Sequence, residues 1–303
     1  MNIQLIKWYM LIPLLTACAS SDKAFFWKVE KEGRTSYVLG TARHGVEIFD
    51  LPPEVQQRFD SAKTVLLDAK RSLNVDAKKK AEFIKTITVK TKSSKEASPL
   101  NKPSRSYFTD SEWQEIVKRI LYQHDDKINE IMIEGLTLPE ISRYLRKADK
   151  IYLNYQESKA LTQSMNVELA EKAYHTNKPV KFLSELQTSP ACDDEYAVAI
   201  IRYQLNNTSR SNVDQLVEYT AAYKEADEEK ILKEWPYGKK LWQCLFLEKN
   251  KVWAEFISKA HAEGAPLFVA AGVSHFIGGG SIFETLTQQG FSVTRYPFAK
   301  QKE

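Results

Sequence analysis

Two histidines in this chain sit just beyond glycine-bearing strand ends. His275 closes the run Gly272-Val273-Ser274-His275, and His44 lies in Gly40-Thr41-Ala42-Arg43-His44-Gly45. Two imidazoles aimed at one spot can share a divalent metal, or divide the work of a general acid and a general base. Asp68 follows the apolar run Thr64-Val65-Leu66-Leu67 and can add a carboxylate from the same kind of position. In open α/β sheets ligands bind beyond the carboxyl ends of the strands. A glycine there lets the chain turn sharply with no Cβ in the way. Gly40, Thr41 and Gly272 are therefore the positions expected to border a bound cofactor. The plainer account of each histidine is a surface or core residue beside a turn.

Other patterns carry less. Gly278-Gly279-Gly280 before a helix start is a place for an anion, but Ser281 as an ordinary N-cap accounts for it as well. His124, His175 and His261 lie in helical or polar contexts and read as solvated. The sequence has no HExxH, no CxxC and no P-loop. Gly272-Val273-Ser274-His275-Phe276 lacks the closing glycine of a nucleophile elbow.

The elements that must position these residues can be read along the chain. Phe26 to Glu30 and Thr35 to Leu39 flank Lys31-Glu32-Gly33-Arg34, which predicts a β-hairpin with Gly33 at positive φ. Pro53 opens a helix to about Ala62, and Thr64 to Leu67 is a short strand apolar on both faces, as in a parallel sheet. The middle is helical, with capping-box starts at Thr109/Glu112 and Thr137/Glu140 and a further helix from Asn166 to Tyr174. Residues 195–260 read as mostly helical, with breaks near Asn206-Asn207 and at Pro236-Tyr237-Gly238. Lys178 to Leu183 leads into a strand, Leu267 to Ala271 and Phe291 to Tyr296 are strands, and Ser281/Glu284 caps a helix that stops at Gly290. The expected fold is α/β: a central mixed sheet built from both ends of the chain, with a largely helical insertion at about 71–175.

Length, composition and the first residues bound the function. The 303 residues carry a net charge of +4, with 43% hydrophobic and 27% charged residues and only 11 Gly and 11 Pro. That excludes fibrous and low-complexity chains and gives no support for nucleic-acid binding. The Lys-rich stretch at 77–95 reads as a solvated face, or as a surface leaning on anionic lipid. Lys7 precedes a short apolar run ending in Leu15-Thr16-Ala17-Cys18, which resembles a bacterial lipobox. On that reading 1–17 is a signal peptide, Cys18 carries lipid, 18–25 is a tether and 26–303 is one domain. Ala19 in place of Asp after the cysteine resembles the outer-membrane sorting pattern, which puts the chain in the cell envelope, facing the periplasm. Cys192 and Cys244 would then either pair or remain buried thiols.

Both ends of the chain resemble the TraB/GumN (TIKI-like, PrgY-like) family. The resemblance rests on Phe26 to Glu30, Thr35 to Thr41, Leu51-Pro52-Pro53-Glu54-Val55, Lys178-Pro179-Val180, Asn250, Trp253 and Phe268 to Gly278. It implies an α/β core shared with erythromycin-esterase-like and ChaN-like proteins, and metal-dependent peptidase chemistry using two Gly-x-x-His motifs and an acid. The chain departs from that pattern in four places. Arg43 stands where the first motif has its histidine, and His44 comes one later. Asp68 replaces a glutamate, Glu185 lies one residue beyond the expected acid, and Lys249 replaces an arginine.

The resemblance therefore implies His44 and His275 as metal ligands, with Asp68 or Glu185 as the catalytic acid and Arg43 beside them to hold a carboxylate or phosphate. Zinc, manganese and cobalt all suit such donors. The substrate would be a peptide or small molecule, the membrane the partner of the N-terminal lipid. A non-catalytic envelope lipoprotein binding haem, peptide or an anion in the same cleft is the alternative.

Overall fold

The computed structural model describes residues 23–42, 45–68, 103–123, 129–151, 164–186, 194–206, 209–233 and 246–298. Cys18, Arg43, His44, the Lys-rich stretch, His124, Cys192, Cys244 and the Pro236-Tyr237-Gly238 break lie outside the described residues.

Six strands form one mixed sheet in the order β4-β3-β5-β2-β1-β6. β1 (Phe26–Lys31) and β2 (Arg34–Thr41) are an antiparallel hairpin in which Lys31 pairs with Arg34. Its two loop residues, Glu32 at φ 52° and Gly33 at φ 70°, make the left-handed pair a tight hairpin needs. β2 then runs parallel to β5 (Leu267–Gly272), β5 to β3 (Thr64–Leu67), and β3 to β4 (Val180–Phe182). β6 (Ser292–Arg295) closes the other edge antiparallel to β1, and its mostly exposed residues are polar, as an edge strand requires. β5, from the C-terminal part of the chain, is thus inserted between the N-terminal strands β2 and β3, and the sheet is built from both ends of the chain. Val65, Leu66 and Leu67 are fully buried because β3 has neighbours on both sides and helices over its faces.

Ten α-helices are described: α1 (Pro53–Ser61), α2 (Asp110–Gln123), α3 (Glu130–Glu134), α4 (Leu138–Ile151), α5 (Met165–His175), α6 (Asp194–Asn206), α7 (Ser209–Lys224), α8 (Glu228–Lys233), α9 (Glu248–Gly264) and α10 (Ile282–Gln288). The sheet's core includes Phe26, Phe59, Phe268, Trp253 and Met165. A second buried cluster joins Trp113, Ile116 and Ile120 of α2 to Ile141 and Leu145 of α4, and takes Val198 and Ile201 from α6.

The three capping signals differ in detail. At α2 the box is complete: Glu112 N donates to Thr109 Oγ1 (3.2 Å) and Thr109 N to Glu112 Oε2 (2.8 Å). At α4 the Thr137 hydroxyl donates to Glu140 (2.9 Å), and only the return bond from Thr137 N (2.9 Å) remains. At α10 Ser281 Oγ accepts from Glu284 N (3.3 Å), while the Glu284 carboxylate takes the N–H of Gly280 (2.6 Å). The glycine turn at 278–280 thus already has a carboxylate on its last amide, and Ser281 is a plain N-cap.

Candidate functional site

The parallel strands fix the site's scaffold. β2, β5, β3 and β4 point the same way, so their carboxyl ends form one edge. Thr41 pairs with Gly272, and Leu67 pairs with both Ala270 and Phe182. Beyond the ladder, Asp68 N donates to Ala270 O (2.9 Å) and Ser184 N donates to Asp68 O (2.8 Å). Asp68 and Glu185, both half-buried, therefore follow adjacent strands, and β5, which leads to His275, adjoins β3. Asp68, Glu185 and the turn bearing His275 thus follow the carboxyl ends of three adjacent parallel strands.

His275 ends a 3-10 turn, Val273–His275, immediately after β5. It is buried, its ring centroid 4.6 Å from Phe246 and 4.5 Å from Trp253. Its Nδ1 lies 2.6 Å from Asn250 Oδ1, and Asn250 Nδ2 donates to Gly280 O (2.8 Å). That second bond fixes the amide, so Oδ1 faces the ring and Nδ1 must carry the proton. Nε2 is left with its lone pair, and no described residue hydrogen-bonds to it. Burial first, then the nearby Lys249 charge, push the His275 pKa well below its ordinary value, so the ring is neutral at physiological pH.

Glycine is required on this rim at Gly40. A Cβ there would meet Val273 Cγ2 at 3.0 Å and Val273 Cα at 3.1 Å, so the turn bearing His275 packs directly on β2. Gly272 corrects the expectation of a sharp glycine turn. Its φ of −48° and ψ of 132° suit any residue, and the nearest atom to an added Cβ is His275 Cδ2 at 3.8 Å. Thr41 is buried beside it.

Neighbouring helices hold the strand end. Tyr223 of α7 is buried and donates its hydroxyl to Gly40 O, and burial pushes its pKa up. Ala42 N donates to Met165 Sδ (3.3 Å) and Ile48 N to Glu168 Oε2 (2.7 Å), which seats the first turn of α5 against the chain after β2. Among the described residues no group of three or more His, Cys, Asp or Glu is arranged to hold a metal.

His261 corrects the sequence reading. It is buried, not solvated, with Nδ1 2.8 Å from Ser36 Oγ and its ring 5.0 Å from Phe291. Ser36 Oγ also accepts from Leu267 N (3.0 Å), at the opposite end of β5 from His275. The signal is present in the sequence: Asn250, Trp253, Ile257 and His261 recur at helical spacing on the buried face of α9. His175 is exposed, as expected.

With this architecture in place, comparison with known proteins gives one result. The model of the TraB/PrgY/gumN family matches residues 25–295, and the chain belongs to that family. No curated protein and no solved structure matches it.

Proposed function

We propose that this chain is a lipid-anchored envelope protein that hydrolyses peptides with the help of a divalent metal. One observation carries the reading: the register Thr41↔Gly272, which aligns the ends of the two histidine-bearing segments. Counted from that pair, His44 and His275 are each the third residue onward. By sequence count alone, His44 lies as far beyond Thr41 as His275 lies beyond Gly272, although its spacing from Gly40 departs from Gly-x-x-His.

The donor chemistry fits a metal. A metal-binding histidine donates its second ring N–H to an acceptor that orients it, and Asn250 holds the His275 proton in that way. His44 and His275 would hold the ion, zinc, manganese or cobalt, with Asp68 or Glu185 as an oxygen donor. When bound, the ion would polarise a substrate carbonyl and lower the pKa of a water. The second carboxylate would take the proton, and Arg43 would hold the substrate's carboxylate. Lipid on Cys18 would keep the enzyme in the envelope, at the outer membrane facing the periplasm.

A second reading, a non-catalytic lipoprotein that binds an anion or peptide, is favoured by Lys249. Its charge already depresses His275, and it would oppose a divalent cation. One preparation of the full chain in detergent separates the two. The metalloprotein reading expects about one divalent ion per chain, chelator-sensitive cleavage of a peptide library, and loss of the ion in His275→Ala but not in His175→Ala. No metal, or full retention in folded His275→Ala, rejects it. Chelator-independent peptide binding without cleavage supports the second reading.

A further inference from the structure

A cleft of about 330 Å³ lies where the described chain begins, beside the start of β1 and the end of β6. Lys23, Ala24, Glu225, Ala226, Arg295, Tyr296 and Phe298 line it. Its chemistry is two-sided. Tyr296 and Phe298, with ring centroids 5.2 Å apart, make an aromatic wall. Arg295 is held in place by stacking, its Cζ 4.8 Å from the Phe25 centroid and 4.6 Å from that of Trp27. Its Nη1 donates to Ala24 O (3.3 Å) and its Nη2 to Ala226 O (3.5 Å) and Glu228 (2.9 Å), which leaves Nε–H and one Nη1 N–H of the five on the guanidinium. Exposed Lys23 adds a second cation. The acid in the lining, Glu225, lies 3.0 Å from Lys230, which also pairs with Asp227 at 3.5 Å.

The position of this cleft is set by covalent geometry. Lys23 is five residues after Cys18. Five extended residues reach at most about 18 Å, so a lipid on Cys18 keeps Lys23, and with it the cleft, within that distance of the bilayer surface. Basic side chains that close to an anionic leaflet are attracted to it.

We propose that this cleft seats the headgroup of an anionic phospholipid next to the anchor, with Lys23 and Arg295 on the phosphate and Tyr296 and Phe298 against the glycerol and first acyl carbons. The contact would hold the domain in one orientation on the membrane. The inference rests on the lipid-anchor reading above and is independent of the histidine rim.

The test uses the full lipidated chain in nanodiscs of phosphatidylcholine, with or without phosphatidylglycerol, and follows amide hydrogen exchange in residues 224–228 and 292–298. Phosphatidylglycerol is expected to slow exchange in both segments by about fivefold. Lys23→Gln and Arg295→Gln should each remove that protection, with thermal melts matching the parent showing that the fold is kept. Equal exchange in the two lipids, or protection that survives both substitutions, overturns the proposal. So does protection in phosphatidylcholine on adding inorganic phosphate, which would mark a soluble-anion site. Intact mass separates the premise: a chain without acyl mass at Cys18 overturns the anchor and the proposal together, whereas an acylated chain without protection overturns the proposal alone.

Discussion

Asn250 Oδ1 lies 2.6 Å from His275 Nδ1, and the same amide donates to Gly280 O. One fully buried side chain on α9 thus ties the turn after β5 to the glycine turn before α10. The tie sets the tautomer of the histidine and the direction of its other nitrogen. Asn250 is in this sense a positioning residue: whatever His275 Nε2 does, Asn250 aims it.

The first prediction follows from that bond. Asn250→Ala leaves the His275 Nδ1–H and the Gly280 carbonyl without their partner. A buried unsatisfied group costs about 1–3 kcal/mol, and urea unfolding should show a loss of that size. Long-range proton–nitrogen NMR should find His275 as the Nδ1–H tautomer in the native chain. An Nε2–H signal there would contradict the orienting role.

Two buried histidines make stability depend on pH. Both His261 and His275 have pKa values lowered from the ordinary 6.5, chiefly by burial. For each, the unfolded chain takes up a proton that the folded chain resists. Their contribution is therefore complete above pH 6.5 and is lost as pH falls below it toward the folded values. At His261 the mechanism is local: Nε2 faces the Lys31 carbonyl at 3.5 Å and carries the proton of the neutral ring, so Nδ1 is bare and accepts from Ser36 Oγ. Urea midpoints should fall between about pH 7.5 and about pH 5.5. His261→Gln should flatten that slope and His175→Gln should not.

The strands are readable because each is a short apolar run closed by a turn residue, and the Glu32-Gly33 pair identifies its hairpin directly. The Gly-x-x-His turn at 272–275 is readable for the same local reason. What pairs with what is not. His261 bonds to a serine 225 positions away, and nothing near 261 names Ser36. The sequence presents Gly40 as a hinge for turning, but its need is steric and comes from Val273, beyond the end of another strand. The second cluster draws on α6, beyond the expected insertion at 71–175, because Val198 and Ile201 complete an apolar face begun by α2 and α4.

At the start of α2, Glu112 both closes the capping box and accepts from Arg202 Nε at 2.7 Å. The Arg202 bond first, then the Thr109 amide, hold its carboxyl down at about 2. This depressed acid contributes in full above the ordinary 4.5, and the contribution is lost as pH falls from there through about 2. Glu112→Ala removes the return half of the capping box and the ion pair together, leaving the Thr109 N-cap bond, and should cost about 1 kcal/mol at neutral pH. Arg202→Ala should cost less, since both bonds of the capping box survive it. Thermal melts of the two variants should keep that order.

The rim offers a paired test of which glycine matters. Gly40→Ala places a Cβ 3.0 Å from Val273 Cγ2 and 3.1 Å from the backbone α-carbon of the same residue. A side chain can rotate away, but a backbone atom cannot, so β2 or the turn at 273–275 must shift. Overpacking of that kind costs about 1–3 kcal/mol. Because Val273 and His275 share one short turn, the same shift should alter whatever His275 binds. Val273→Ala in the Gly40→Ala background should restore only part of the stability, since trimming the side chain leaves the backbone at 273 in the way. Gly272→Ala is the control: it has an ordinary φ and its nearest neighbour is 3.8 Å away, so its stability should stay within about 0.5 kcal/mol of the parent. Denaturation curves on the parent and these three variants decide it, and equal losses at Gly40 and Gly272 would refute the packing account.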